Sequence, residues 1–245
     1  MANAATAPKS EGLHYLIVRD DIAARIAAGD LKPGDKLPSE RRLQDEVGMA
    51  RGTVRAGLFQ LEAEGVIYRR DRSGWYVSPP PVIYDPTRWE GFMSYVEAQG
   101  RNPTTEVISA EPIVADPLLA EVFSRSPGAA LFMIRRRRYV DGRAVLVERI
   151  VVDAALAPDV LRFSLDQSLT SILKTEYGLS VVRNQVSMQP CALTGYEAEA
   201  LRLKSGLPGL AVQRISYDAQ GRVVEFDHEY WRHDAVRISV ETRVR

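Results

Sequence analysis

The densest charge in the chain is Arg135-Arg136-Arg137-Arg138. On a strand, alternate members face opposite sides, so Arg136 and Arg138 share one face and can grip a phosphate or carboxylate bidentately. Glu148, across the expected hairpin, then orients an arginine or accepts a hydrogen bond from an amine or hydroxyl of the ligand. The plainer alternative is a solvated cationic strand paired with Glu148, Glu225, Asp227 and Glu229. Ser168 starts an apparent helix to Glu176, where it either caps the helix or offers its hydroxyl to the same anion. Arg183 is a further pocket candidate, or a surface strand charge. In the run 224–231, alternation sets Phe226, His228 and Tyr230 on one face and Glu225, Asp227, Glu229 and Trp231 on the other, without saying which lines a cleft.

A second group of arginines lies near the N-terminus. Arg51, Thr53 and Arg55 stand at the start of an apparent helix, Arg41 lies ten residues earlier, and Arg69, Arg70 and Arg72 surround a turn that contains Gly74. Residues 47–61 carry two arginines and no acid. Cations placed this way suit a phosphate backbone.

The elements that must position these groups follow from local signals. Leu13 to Ala28 is periodic and ends at Gly29-Asp30. Leu37-Pro38-Ser39-Glu40 is a helix start, with Leu43 and Val47 as its apolar stripe and Gly48 as its stop. The next helix begins near Arg51 and buries Val54, Leu58 and Leu61. Ala50 precedes it and cannot cap it, and Gly57 weakens its interior by up to about 1 kcal/mol relative to alanine. A hairpin turning through Asp71-Arg72-Ser73-Gly74 completes the plan of a winged helix-turn-helix.

Beyond Ser78-Pro79-Pro80-Pro81, a stretch that cannot continue a sheet, Trp89 to Gly100 reads as a helix and Thr104 to Pro112 as a strand. The remainder repeats itself. Sliding the chain by 79 residues superposes Ser126 on Ser205, Leu131 on Leu210, Arg135 on Arg214 and Gly142-Arg143 on Gly221-Arg222, and sets Glu148 opposite Asp227. Each copy reads helix, turn, strand, tight turn, strand, with Asp141-Gly142 as the hairpin signal in the first. Two such units imply one antiparallel sheet with helices against it, an α+β domain with a cleft between its halves.

Whole-chain composition excludes several classes. With 245 residues, 45% hydrophobic and 26% charged, the chain has material for two modest domains. Net charge is zero, and residues 1–78 hold 12 basic and 11 acidic side chains, so any nucleic-acid footprint must be local. The single cysteine, Cys191, makes neither a disulfide framework nor a metal-binding pair and suits a reducing cytoplasm. No run approaches 18 apolar residues, so no membrane segment is expected. The three histidines are scattered and no HExxH, G-x-S-x-G or phosphate loop occurs, so neither catalytic residues nor metal ligands nor cofactors are expected.

The N-terminal motifs, Gly34-Asp35, Leu37-Pro38-Ser39-Glu40-Arg41, Arg51-Gly52-Thr53-Val54-Arg55, Leu61-Glu62-Ala63-Glu64-Gly65 and Gly74-Trp75-Tyr76-Val77, resemble the DNA-binding domain of the GntR family of bacterial transcription regulators. The resemblance implies that Arg41, Arg51, Thr53 and Arg55 contact operator DNA, with the wing tip, Arg72 and Gly74, entering the minor groove. Arg136, Arg138, Asp141-Gly142, Glu148, Ser168-Leu169, Ala198 to Leu201, Gly206, Pro208, Arg214, Tyr230 and Arg232 to Asp234 resemble the UTRA ligand-sensing domain, which shares its fold with chorismate lyase. In that light the effector contacts are Arg136, Arg138, Glu148, Ser168, Arg183 and Tyr230. The expected organisation is a disordered tail 1–10, a winged helix-turn-helix 11–78, a proline-rich linker 79–91 and a UTRA effector-binding and dimerisation domain 92–245. The expected protein is a cytoplasmic homodimeric repressor, not an enzyme, that leaves double-stranded operator DNA when it binds a small anion such as a phosphosugar, phosphonate or carboxylate. The rival is a lyase-like small-molecule enzyme fused to a DNA-binding domain. In related pockets a serine soon follows the linker, whereas here the sequence runs Phe92-Met93-Ser94, which displaces or removes that hydroxyl.

Overall fold

The computed structural model describes residues 14–70, 72–88 and 90–242, in two compact units, 1–81 and 82–245. The expected tail, Asp71 in the wing turn and the expected helix start at Trp89 lie outside the described residues.

In the first unit, α1 (His14–Ala27), α2 (Glu40–Val47) and α3 (Arg51–Ala63) precede a hairpin of β1 (Ile67–Arg70) and β2 (Gly74–Val77). The signals at α2 act as their chemistry requires. Ser39 Oγ accepts from the Arg42 amide, and Gly48 closes the helix at φ 64°, sending its amide to Gln44 O. At α3, Ala50 makes no side-chain cap. Val18, Ile22, Leu43, Val54, Leu58, Leu61, Ile67 and Trp75 form the core. Gly57 corrects the sequence expectation. A Cβ there would sit 2.8 Å from both Tyr15 O and Val18 Cβ, so glycine is what lets α3 approach α1. Its poor helix propensity is outweighed by packing.

The second unit comprises β3 (Val82–Tyr84), α4 (Phe92–Glu97), β4 (Pro103–Val114), α5 (Pro117–Phe123), β5 (Ala130–Val140), β6 (Arg143–Asp153), α6 (Leu169–Tyr177), β7 (Val181–Leu193), α7 (Gly195–Ala200), β8 (Leu207–Asp218), β9 (Val223–Arg232) and β10 (Val236–Ile238). Six strands form one antiparallel sheet in the order β4-β5-β6-β9-β8-β7, and β3 pairs in parallel with β10. Residues 82–84, expected within a linker, are therefore a strand of this unit.

The repeat is a pseudo-two-fold axis between β6 and β9. Arg149 lies directly opposite His228, its equivalent at the offset of 79. Equivalent bulges interrupt both hairpins, at 138/139 and 216/217, but the turn of the second hairpin is one residue longer, 219–221 against 141–142, which makes the offset 78 on the outer strands. Since Arg136 pairs in register with Glu148, and Arg214 with Asp227, the structural counterpart of Arg214 is Arg136 rather than Arg135. Helices α4 and α6 cover one sheet face, through Phe92 and Val96 and through Leu169 and Leu173. Helices α5 and α7 cover the other.

Candidate functional site

At the start of α3, Arg51 and Arg55 project outward, with side chains 71% and 46% exposed. Their Nε atoms stand 3.5 and 4.0 Å from Glu40 Oε2, which ties them to α2, and the Arg55 guanidinium lies 5.6 Å from the Phe59 ring centre. Such exposed ion pairs are weak and yield readily to a phosphate. Thr53 is half-buried, and Arg41 is exposed on α2. In the wing, Arg70 stacks 4.3 Å from the Tyr76 ring centre and bonds the Tyr68 hydroxyl, while Arg69 leans on Trp75. Arg72 and Gly74 adopt left-handed backbone, at φ 54° and 107°, which makes the tip tight. The first unit thus presents exposed cations at a helix N-terminus and beside a narrow hairpin.

The second unit buries its charges. On the sheet face under α4 and α6, a narrow cleft of about 40 Å³ is lined by three arginines (Arg136, Arg138, Arg214) and four carboxylates (Glu148, Glu225, Asp227, Glu229). The face of β9 that the alternation left open is settled here: the acidic set faces the cleft. Glu148 Oε1 accepts from Arg136 Nε at 2.5 Å and from Arg138 Nε at 2.9 Å. Burial alone would raise the Glu148 carboxyl, but the two guanidiniums outweigh it and hold it below its usual value. Arg136 also donates to Leu165 O at 3.1 Å and to Gln167 O at 3.3 Å. Arg138 donates to Thr105 Oγ1 at 2.6 Å and stacks on Phe92. Arg214 Nη2 reaches Glu229 Oε1 at 2.6 Å and the Tyr84 hydroxyl at 2.8 Å. Burial pushes the Tyr84 hydroxyl up to about 12, so it stays protonated. Ser168 caps α6, accepting from the Ser171 amide at 3.3 Å, and also lines the cleft beside Gly91 and Thr170.

Four expected effector contacts, Arg136, Arg138, Glu148 and Ser168, therefore come together. Two do not. Tyr230 alternates onto the opposite sheet face, in a separate hollow with Tyr196, Glu197 and Arg149. Arg183 lies on the outermost strand, past a register shift at 181/183, with its guanidinium 3.5 Å from the Tyr217 ring centre. The structure adds Arg214, Glu225, Asp227, Glu229 and the aromatic wall of Phe92 and Tyr95. The charges of β9 were visible in sequence, but their burial depends on arginines from β5 and β8. Ser94 is exposed, so Gly91, Phe92 and Met93 supply the wall where a serine was sought.

Among the described residues no group of three or more His, Cys, Asp or Glu side chains could hold a metal ion, and no helix is long and apolar enough to cross a membrane.

Comparison with known proteins gives this arrangement a lineage. Residues 14–77 match the family model for bacterial regulatory proteins of the gntR family, and residues 98–237 match the UTRA domain. The HTH-type transcriptional regulator YihL of Escherichia coli is 30% identical over 86% of this chain and 90% of its own length. The mannosyl-D-glycerate transport/metabolism system repressor MngR of Escherichia coli is 27% identical over 92% of this chain and 94% of its own. In fold, the crystal structure of PhnF from Mycobacterium smegmatis aligns over 93% of this chain and 100% of its own, with a TM-score of 0.67 at 23% identity. YihL and MngR are named as a regulator and a repressor, and nothing among these relatives favours the enzyme alternative. The chain belongs to the gntR family of bacterial regulatory proteins and is a ligand-responsive transcription regulator that joins a DNA-binding winged helix to a UTRA domain.

Proposed function

We propose that this regulator is a cytoplasmic repressor that binds a two-fold symmetric operator as a homodimer and releases it on capturing a small anion. Each α3 enters a major groove, where Arg51 and Arg55 meet base edges and phosphates, Thr53 and Arg41 fix the register, and Arg72 and Gly74 carry the wing into the minor groove. The anion sits at the N-terminus of α6, beside Ser168, and draws on Arg136 and Arg138, with Glu148 orienting both guanidiniums. A phosphosugar, a phosphonate or a carboxylate metabolite satisfies that chemistry.

The observation that carries this reading is the buried arginine pair held on one carboxylate at the mouth of a capped helix. A cleft of about 40 Å³ is small beside a phosphosugar, so ligand entry moves the ion pairs that line it. Arg214 then transmits the change. It bonds Tyr84 on β3, which begins directly after the Pro79-Pro80-Pro81 run, so drawing Arg214 toward a ligand alters the strand that follows the DNA-binding unit. A coupling of about 1–3 kcal/mol is enough for regulation.

The test is a thermal-shift screen of the full chain against the three anion classes, followed by addition of any hit to the protein–operator complex. A ligand at about 100 times its dissociation constant stabilises by about 2.7 kcal/mol. A hit that releases operator DNA supports the proposal. No shift from any anion contradicts it.

A further inference from the structure

The pseudo-two-fold axis lets the two halves of the cleft be compared directly. It carries Arg136 onto Arg214 and Glu148 onto Asp227, since each arginine is the register partner of its acid. In the first half the pair is made: Arg136 and Arg138 both bond Glu148. In the second half it is not. Arg214 turns instead to Glu229 and Tyr84.

Asp227 is left behind, 3% exposed, lining the cleft, with Oδ1 holding no hydrogen-bond partner. Glu225 stands two positions along the same strand face, 6% exposed, and among the described residues no ion pair is recorded for either acid. Glu225 is the hydrogen-bonding neighbour of Asp227, and Arg214 acts on Asp227 only through space, so Oδ1 remains a buried acceptor that calls for a donor. Burial, with Glu225 alongside, pushes the Asp227 carboxyl well above the usual carboxylate range.

The chemistry of the missing partner can be narrowed. A water or a hydroxyl satisfies Oδ1 but leaves four acids facing three arginines in the cleft. A metal ion needs more donors than this pair offers, and among the described residues no group of three suitable side chains is present. An ammonium supplies both the donor and the charge.

Resting on the effector reading above, we infer that the ligand of this cleft carries a protonated amine seated on Asp227 Oδ1 and Glu225, with its anionic group on Arg136, Arg138 and the start of α6. The effector is thus an amino-bearing phosphate, phosphonate or carboxylate. It completes in the second half of the cleft the ion pair that the protein itself makes in the first.

The test is calorimetric titration of the full chain with ω-aminoalkyl phosphates and ω-hydroxyalkyl phosphates of matched chain length, with inorganic phosphate and simple alkylamines alongside. The same titrations are run on Asp227→Asn and Glu225→Gln. Neither change breaks an ion pair recorded in the fold, and melting curves check that both variants remain folded. At least one aminoalkyl phosphate should bind about tenfold or more tightly than its hydroxyl twin, a difference on the scale of one charge-assisted hydrogen bond. That preference should vanish in Asp227→Asn, while inorganic phosphate binds both proteins alike. Equal binding of amine and hydroxyl twins to the wild type overturns the inference and leaves the anion site standing. Alkylamines that bind wild type but not Asp227→Asn, with no phosphate binding, uphold the amine site and reject the anion site. Absence of binding by every amine-bearing probe rejects the inference.

Discussion

Gly52 and Gly57 lie in the same helix, and alanine should act on them with opposite sign. Both substitutions gain helix propensity, about 1 kcal/mol in a helix interior and less near its end. At Gly52 a new Cβ meets nothing within 4 Å, so Gly52→Ala should stabilise by up to that amount. At Gly57 the new Cβ meets Tyr15 O and Val18 Cβ at 2.8 Å, a carbonyl and a stiff branched carbon of α1 that cannot rotate away. Moving α1 costs about 1–3 kcal/mol or more, as overpacking does. The net for Gly57→Ala is destabilisation by up to about 2 kcal/mol, once the propensity gain of about 1 kcal/mol is set against that cost. Amide hydrogen exchange across α1 and α3 in the intact protein reads this locally, without assuming that both units unfold together. Protection should fall in Gly57→Ala and rise in Gly52→Ala. Equal gains at both positions would refute the close approach of α1 and α3.

Other perturbations follow from single contacts. Ala50→Ser supplies the missing cap of α3 and should raise the stability of the first unit by about 1 kcal/mol in the same exchange experiment. Arg136→Ala leaves Glu148 buried with one cation fewer and should destabilise the second unit by about 3–5 kcal/mol in urea titration, whereas Arg135→Ala breaks its half-exposed contacts with Glu111 and Ser109 and should cost about 1 kcal/mol or less. Burial opposes ionisation of Asp234, yet Arg232 and Arg143 hold its carboxyl down at about 2 against an ordinary 3.8. A depressed carboxyl stabilises the fold above its unfolded value, so about 2 kcal/mol is lost as pH falls from about 4 through about 2. Stability measured over that window should fall less steeply in Asp234→Asn than in the wild type.

The first unit was legible because its signals are local. Ser39, Gly48 and the stripes of α2 and α3 each act within one or two turns. The repeat revealed the sheet as well, since Gly142 and Gly221 mark equivalent hairpins. The cleft was less legible because its chemistry is non-local. Alternation sorted β9 into two sets but could not say that the acidic set is buried, which follows from Arg136, Arg138 and Arg214 arriving from neighbouring strands. A second hairpin turn longer by one residue hid the match of Arg214 to Arg136, and strand parity placed Tyr230 on the far face. At Gly57 a propensity argument failed because α1, about forty residues upstream, fixes the space.

DNA recognition through the start of α3 underlies every regulatory step proposed for this chain. The direct measurement is selection of duplexes from a random pool by the full chain, then anisotropy titration of the recovered duplex with wild type and Arg51→Ala across a range of salt. A two-fold symmetric sequence should be recovered. Arg51→Ala should lose about 1–3 kcal/mol of affinity if the arginine reads a base, or reduce the salt slope by about one if it meets a phosphate. Recovery of no sequence, or an Arg51→Ala protein with unchanged affinity and unchanged slope, would contradict it.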